Sequence, residues 1–199
     1  FLLNRDIAFR SLLRGLVYIP WVVPESLAAV LWRWLINPSY GMINNILLRA
    51  GVIEEGISFL RYDSALYTAI AMRVWRATPF VIISVLAGLQ SIPNHVMEAA
   101  DIDGADGFQK TLYITLPLLR PVLVTSSMLL IIWSAVIFDM LYVLTGGGPA
   151  GATTTLPLAI FIEGFEKYHI DSAAAMAVIG LILLTCLTAG YYRLVEKED

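Results

Sequence analysis

HVMEAADIDGADGFQKTLYITLPLLRP, from His95 to Pro121, is a polar island between two long apolar runs, and its setting decides the fold. On either side the chain is written for lipid. The island instead presents acids, alanines and two closely placed glycines. Asp106 followed by Gln109 has the spacing of a capping box, which predicts a short helix beginning near Gly107. Gly104 falls at the turn before it, where a residue without Cβ accepts positive φ. Leu116-Pro117 is expected to start the next span, since proline is tolerated in a first helical turn. The segment therefore reads as a helix–turn–helix, with Ala99 and Ala100 permitting close approach of another surface and Glu98 and Asp103 offering carboxylates.

The surroundings fix the rest of the fold class. Of 199 residues 58% are apolar and 15% charged, against roughly 25% charged in ordinary globular proteins; mean hydropathy is +0.75. Four apolar runs, about 16–36, 66–89, 117–142 and 173–193, are long enough to cross a bilayer, which takes about 20 helical residues. Helices are expected because backbone amides find no water in lipid, and the alternating strands of a closed barrel are absent from the sequence. Pro20 and Pro24 should kink or unwind the first run, and Trp32 and Trp34 fit the headgroup level at its outer end, with Trp75 a further interface anchor. GMINNILLRAG (41–51) reads as a short amphipathic surface helix, and TGGGPAGATTT (145–155) as a flexible, turn-rich opening to the last loop.

Basic residues orient the bundle. With the island in the cytoplasm, inside segments carry Arg5, Arg10, Arg14, Lys110, Arg120, Arg193 and Lys197, whereas outside segments carry Arg49, Arg61 and Lys167. That excess obeys the positive-inside rule and places both termini in the cytoplasm. A net charge of −3 argues against nucleic acid as a partner. The single cysteine, Cys186, excludes an intramolecular disulfide. His95 and His169 fall on opposite sides of the membrane, so no metal site is expected. No GxxxxGK[ST] loop occurs, so nucleotide chemistry would have to come from another chain. A start at Phe1, with no leader before the first span, suggests an N-terminally incomplete chain.

Charges at membrane depth cost roughly 2.5–3.5 kcal/mol each on insertion scales and so invite a functional reading. Glu25, Arg73, Arg76 and Asp139 stand out. Arg73, Arg76, Ala77 and Phe80 are spaced by three, four and seven and share one helix face. Trp133, Ser134 and Ile137 form a stripe on the following span. Aromatic faces suit the apolar side of a pyranose, and Arg and Ser donate to hydroxyls; paired arginines suit an anionic solute equally well. A structural reading is open beside these, in which the arginines pair with Glu25 or Asp139 to hold the bundle.

The island also has a family likeness. Glu98-Ala99-Ala100, Gly104 and Ile114-Thr115-Leu116-Pro117 stand at the spacings of the coupling loop of binding-protein-dependent ABC importer permeases, which the chain resembles along almost its whole length. IPW (19–21), WRWLINPSYGMIN (32–44), AGLQSIP (87–93) and YVLTGGGP (142–149) resemble the sugar-permease branch, the MalF-like and glycerol-phosphate or lactose-type subunits. An EAA triplet alone is weak, and a solvated loop with ordinary caps is the bland alternative. The triplet with its glycine and Ile-x-Leu-Pro, between two spans, is specific.

The resemblance implies an all-α transmembrane chain of about four spans, the core of a type I ABC importer permease with two N-terminal helices missing. It implies a single permease domain over 1–199, with 91–116 as the cytoplasmic coupling loop. Glu98, Ala99, Ala100, Asp103, Gly104, Leu116 and Pro117 would couple to the ATPase. Arg73, Arg76, Ala77, Phe80, Trp133, Ser134 and Ile137 would line the substrate pathway, although the third-span positions are less polar than in maltose permeases. Two separate cytoplasmic ATPase subunits would use ATP and Mg, with no cofactor bound by this chain and no catalysis of its own. A second permease chain and an extracytoplasmic solute-binding protein complete the expected assembly, in a bacterial or archaeal inner membrane. The solute would be a carbohydrate or related polar compound, or by the same mechanism an anionic glycerophosphodiester or sugar phosphate. An ion-coupled secondary transporter using Glu25 and Asp139 is the rival from another class, and a non-transporting scaffold subunit a third.

Overall fold

A computed structural model describes residues 10–196. Arg5 and Lys197, invoked above for topology, lie outside the described residues. Ten α-helices follow in chain order: α1 Arg10–Val22, α2 Glu25–Leu35, α3 Met42–Arg49, α4 Ala65–Ser91, α5 Asn94–Ile102, α6 Gly107–Gln109, α7 Leu116–Ala135, α8 Asp139–Thr145, α9 Leu156–Phe161 and α10 Ile170–Glu196. Among the described residues there is no strand. Three continuous helical stretches are long and apolar enough to cross a membrane, Ala65–Ser91, Gly107–Ala135 and Ile170–Arg193.

The first run is broken into two helices, which make a fourth span if taken together. Pro24 stands between α1 and α2, and the two helices meet at 105°. The expected kink is thus an elbow. α1 packs on α4, whereas α2 turns away to pack on α8 and α3. Ala28 and Ala29, wholly buried, let α2 approach closely, and Ala69, Met72, Ile137, Met140, Leu141, Leu144 and Leu158 complete that apolar core. Trp32 and Trp75 pack against it with ring centroids 5.9 Å apart. Both are half-buried, and only Trp34 of the three is largely exposed, at 67%.

The island folds as a helical hairpin. Proline disfavours helical backbone at the preceding residue, and Ile92 before Pro93 is extended, with ψ 121°, which ends α4. α5 closes with a Schellman motif: Gly104 has φ +74°, its N–H donates to Asp101 O, and Ala105 N–H donates to Ala100 O. Asp106 then caps the next helix, accepting from Gln109 N at 2.7 Å while Gln109 Oε1 accepts from Asp106 N at 2.9 Å.

Here the structure departs from expectation. α6 and α7 are one rod from Gly107 to Ala135, joined through a π-turn at Lys110–Thr115. Pro117 stands in the first turn of α7, as expected, but with helical backbone continuing before it. In an α-helix its ring would press on the carbonyl four residues back; the turn before it is widened, with Leu116 N–H donating to Thr111 O.

Two further expectations are corrected. The apolar run 117–142 is not one helix, because α7 ends at Ala135 and α8 begins at Asp139. Ile137 sits between them, turned into the core against α2 residues, and burial there outweighs continued helix. The glycine-rich segment is an ordered knot instead of a flexible turn. Gly146, Gly147 and Gly151 adopt positive φ, Thr145 and Thr153 hydroxyls lie 2.6 Å apart, and Thr153 and Thr154 donate to Gly148 O and Gly147 O. α9 and a π-turn at Ile162–Glu166 follow. There, donation from Lys167 and His169 holds the Glu163 carboxyl below the usual carboxylate range.

The other loop is sewn by Asn44, on the expected α3 and 1% exposed. Its amide donates to Ile36 O, Asn37 O and Ile57 O and accepts from Ile57 N at 2.8 Å. α4 and α7 pack where Gly88 leaves room, a Cβ there coming within 2.6 Å of Leu119 Cδ2. A branched side chain has no space at that crossing. Gly88→Leu is expected to cost about 1–3 kcal/mol by overpacking, whereas Gly190→Ala, with nothing within 4 Å, should not lower the midpoint. Thermal unfolding of the two variants checks the contrast.

Candidate functional site

Where α1 breaks, a cleft of about 210 Å³ opens between the first run, α4 and α7. Trp21, Glu25, Arg73, Arg76, Ala77, Phe80, Leu130 and Trp133 line it. The helical spacing of Arg73, Arg76, Ala77 and Phe80 thus places them in one cleft, as the sequence predicts, and Trp133 faces them from α7. Phe80 is the centre of an aromatic shelf: its ring meets Trp133 edge-on at 4.8 Å and Trp21 at 6.2 Å. Ser134 reaches the site through Arg73, whose Nε donates to its hydroxyl at 3.3 Å. Ile137 does not reach it and lies in the core.

The charges are concentrated on one wall. Glu25 Oε1 lies 3.3 Å from Arg76 Nε and 3.6 Å from Arg73 Nη1. Both arginines therefore pair with Glu25, while Asp139, exposed at the start of α8, makes no ion pair with them. The two readings of these arginines separate. Arg76 is held by the backbone, with Nη1 also donating to the carbonyls of Pro20, Trp21 and Val23. Arg73 keeps a free donor, because its buried Nη2 has no hydrogen-bond partner. Two guanidiniums against one carboxylate leave the wall with a net positive charge.

Sequence reasoning missed Trp21 and Leu130 as lining residues. Trp21 had a signal in the IPW triplet beside the proline break. Leu130 lies three residues before Trp133, on the same stripe.

The island's residues lie at the opposite end of α4 and α7 from the loops that Asn44 and the threonines tie. Glu98, Ala99, Asp103, Gly104, Leu116 and Pro117 are exposed, and Ala100 is buried. Of the two alanines, then, only Ala99 offers its surface. Apolar side chains flank the turn uncovered, Ile102 at 87% and Phe108 at 74% exposure, and Lys110 pairs with Asp101 across it. Among the described residues no cluster of His, Cys, Asp or Glu could hold a metal ion.

Comparison with known proteins gives this arrangement its class. Residues 3–198 match the family described as binding-protein-dependent transport system inner membrane component. The chain belongs to that family, as a multi-pass membrane protein. It is 41% identical to the trehalose/maltose transport system permease protein MalF of Thermococcus litoralis, over 96% of this chain and 66% of that one. It is 35% identical to the sulfoquinovosyl glycerol transport system permease protein SmoG of Agrobacterium fabrum (100% and 64%), and 33% identical to the sn-glycerol-3-phosphate transport system permease protein UgpA of the same organism (98% and 66%). The chain thus spans just under two thirds of the length of these relatives. A bacterial ABC transporter involved in the import of the acidic polysaccharide alginate superposes with a TM-score of 0.82 at 23% identity, covering 98% of this chain and 69% of that one. This likeness establishes the all-helical fold.

The left-handed Gly104 makes the hairpin testable by itself. A Cβ there meets nothing within 4 Å, so Gly104→Ala carries only the conformational strain of positive φ, about 1–2 kcal/mol. Gly104→Asn, better tolerated in that region, should lose less, and chemical or thermal unfolding of both variants reads the order.

Proposed function

We propose that this chain is the transmembrane permease subunit of an ATP-driven importer for a carbohydrate or related polar solute. The observation that carries the reading is the cleft: an aromatic shelf beside a guanidinium with a free donor, at the break of a span, in a member of a transport family. Phe80 and Trp133 would pack on the apolar face of a sugar ring, Arg73 and Ser134 would donate to its oxygens, and Ala77 would leave room for it. Permease relatives named for trehalose/maltose and for sulfoquinovosyl glycerol support a glycoside.

The hairpin would be the drive. Seated in a groove of a cytoplasmic ATPase, the surface formed by Glu98, Ala99, Asp103 and Gly104 with exposed Ile102 and Phe108 would be carried along as two ATPase subunits close on ATP and Mg. Ala100, Leu116 and Pro117 would brace it. Spans would then exchange inward- and outward-facing states. A second permease chain, a solute-binding protein and an inner-membrane setting with both termini cytoplasmic complete the reading. One solved neighbour is an alginate importer in complex with a periplasmic protein carrying an alginate pentasaccharide, which supports delivery by such a protein.

One observation favours an anionic solute within the same mechanism. The cleft wall carries two arginines against Glu25 alone, and relatives named for sn-glycerol-3-phosphate and sulfoquinovosyl glycerol transport acidic compounds by those names.

Uptake into proteoliposomes containing the full assembly tests the proposal. Transport should require ATP and the binding protein and survive collapse of ion gradients; loss with the gradient would favour the ion-coupled reading. Ala99→Glu and Gly104→Pro should abolish uptake with membrane insertion intact. Arg73→Gln should raise KM about tenfold or more, as expected for loss of a charge-assisted hydrogen bond worth roughly 1.5–3 kcal/mol.

A further inference from the structure

We infer that Arg76 is a positioning residue: its guanidinium closes the broken backbone between α1 and α2, with Glu25 as its counter-charge, and Arg73 alone is left to meet the solute. The hinge itself is independent of any solute; only the division of labour rests on the transport reading above.

Backbone accounting leads there. The last bond of α1 runs from Val23 N–H to Ile19 O at 3.3 Å, and the first across the break into α2 from Ala28 N–H to Pro24 O at 2.9 Å. The carbonyls of residues 20–23 are therefore the four that a helix end leaves without an internal partner. Pro24 has no N–H, so the natural donor to Pro20 O does not exist. In hydrocarbon no water replaces it. Arg76 does: Nη1 lies 2.6 Å from Pro20 O, 3.2 Å from Trp21 O and 2.5 Å from Val23 O. Three of the four carbonyls are covered by one side chain reaching across from α4.

Electrostatics fit the same design. The C-terminal end of α1 carries partial negative charge and the N-terminal end of α2 partial positive charge. Arg76 stands at the first, Glu25 is in the first turn of the second, and the two charges pair at 3.3 Å. Because the helices meet at 105°, both ends turn toward α4, where one arginine serves them together. A lysine is a point charge and lacks the planar fork needed to reach backbone oxygens and a carboxylate at once. Trp21 rides on this break with its ring on Phe80, so the clasp also sets one wall of the cleft.

Arg73 differs at each point. It donates to no backbone carbonyl in the hydrogen bonds observed, lies farther from Glu25 at 3.6 Å, and has a buried Nη2 without a partner. Its free donor is left for a solute, whereas Nη1 and Nε of Arg76 are taken by the break and by Glu25.

A double-mutant cycle on the full-length protein in nanodiscs tests the clasp, because Pro24→Ala restores the missing N–H to Pro20 O. Arg76→Gln should lower Tm by about 5 °C with Pro24 present and by less than about 2 °C in the Pro24→Ala background. Arg73→Gln should lose the same small amount in both backgrounds. Equal losses for Arg76→Gln with and without Pro24 would overturn the inference, as would coupling of Arg73 to Pro24 of the same size. Should Arg76→Gln fail to insert, Arg76→Lys gives the same comparison. Coupling in the cycle without ATP-driven uptake would sink the transport reading and leave the hinge; uptake without coupling would do the reverse.

Discussion

A peptide group left unbonded at membrane depth has no water to turn to, and every interruption in this bundle is arranged around that constraint. The break at Pro24 meets the guanidinium of Arg76. Pro117 is accommodated by widening the preceding turn, so that Leu116 N–H bonds one residue further back. At the gap between Ala135 and Asp139, Val136 N–H still bonds to Ile132 O and Phe138 O accepts from Tyr142 N–H. Outside the spans, side-chain amides and hydroxyls do the same work, Asn44 in one loop and Thr145, Thr153 and Thr154 in the other. Helix in the apolar runs is the default; each departure from it comes with a named partner.

The cleft follows from one of those departures. A straight first helix would run alongside α4 for its whole length and leave no concavity. Because α2 turns away to pack on α8, residues of α4 and α7 that would be covered are left facing a space. Charge and aromatic rings then partition within it: Glu25 and the arginines occupy the side next to the broken turn, and Phe80 and Trp133 the side next to α7. Charged and aromatic side chains thus share one cleft of about 210 Å³.

Much of this was legible in residue order. Period-3.6 spacing put Arg73, Arg76, Ala77 and Phe80 on one face, and turn chemistry located Gly104 and the Asp106–Gln109 box, because each of these is decided within a few residues. What escaped was decided by distant packing. Ile137 continues an apolar run and the stripe of Trp133, and nothing local reveals that the chain leaves helix there to fill a core built by α2. The glycine-rich segment read as loose because glycine frees the backbone; the threonine bonds that fix it join residues five, seven and eight apart. Whether Glu25 or Asp139 would partner the arginines could not follow from sequence either, since the choice depends on the direction α2 takes after Pro24.

The continuous join between α6 and α7 has a mechanical consequence. A helical stretch of 29 residues, bonded through the π-turn at Lys110–Thr115, is about 43 Å long at 1.5 Å per residue and has the reach of a lever. Tilting its foot by ~10° would sweep its far end sideways by ~7 Å, more than the pitch of one helical turn. Trp133 rides near that far end, so a small rocking at the hairpin would become a large displacement beside the arginine wall.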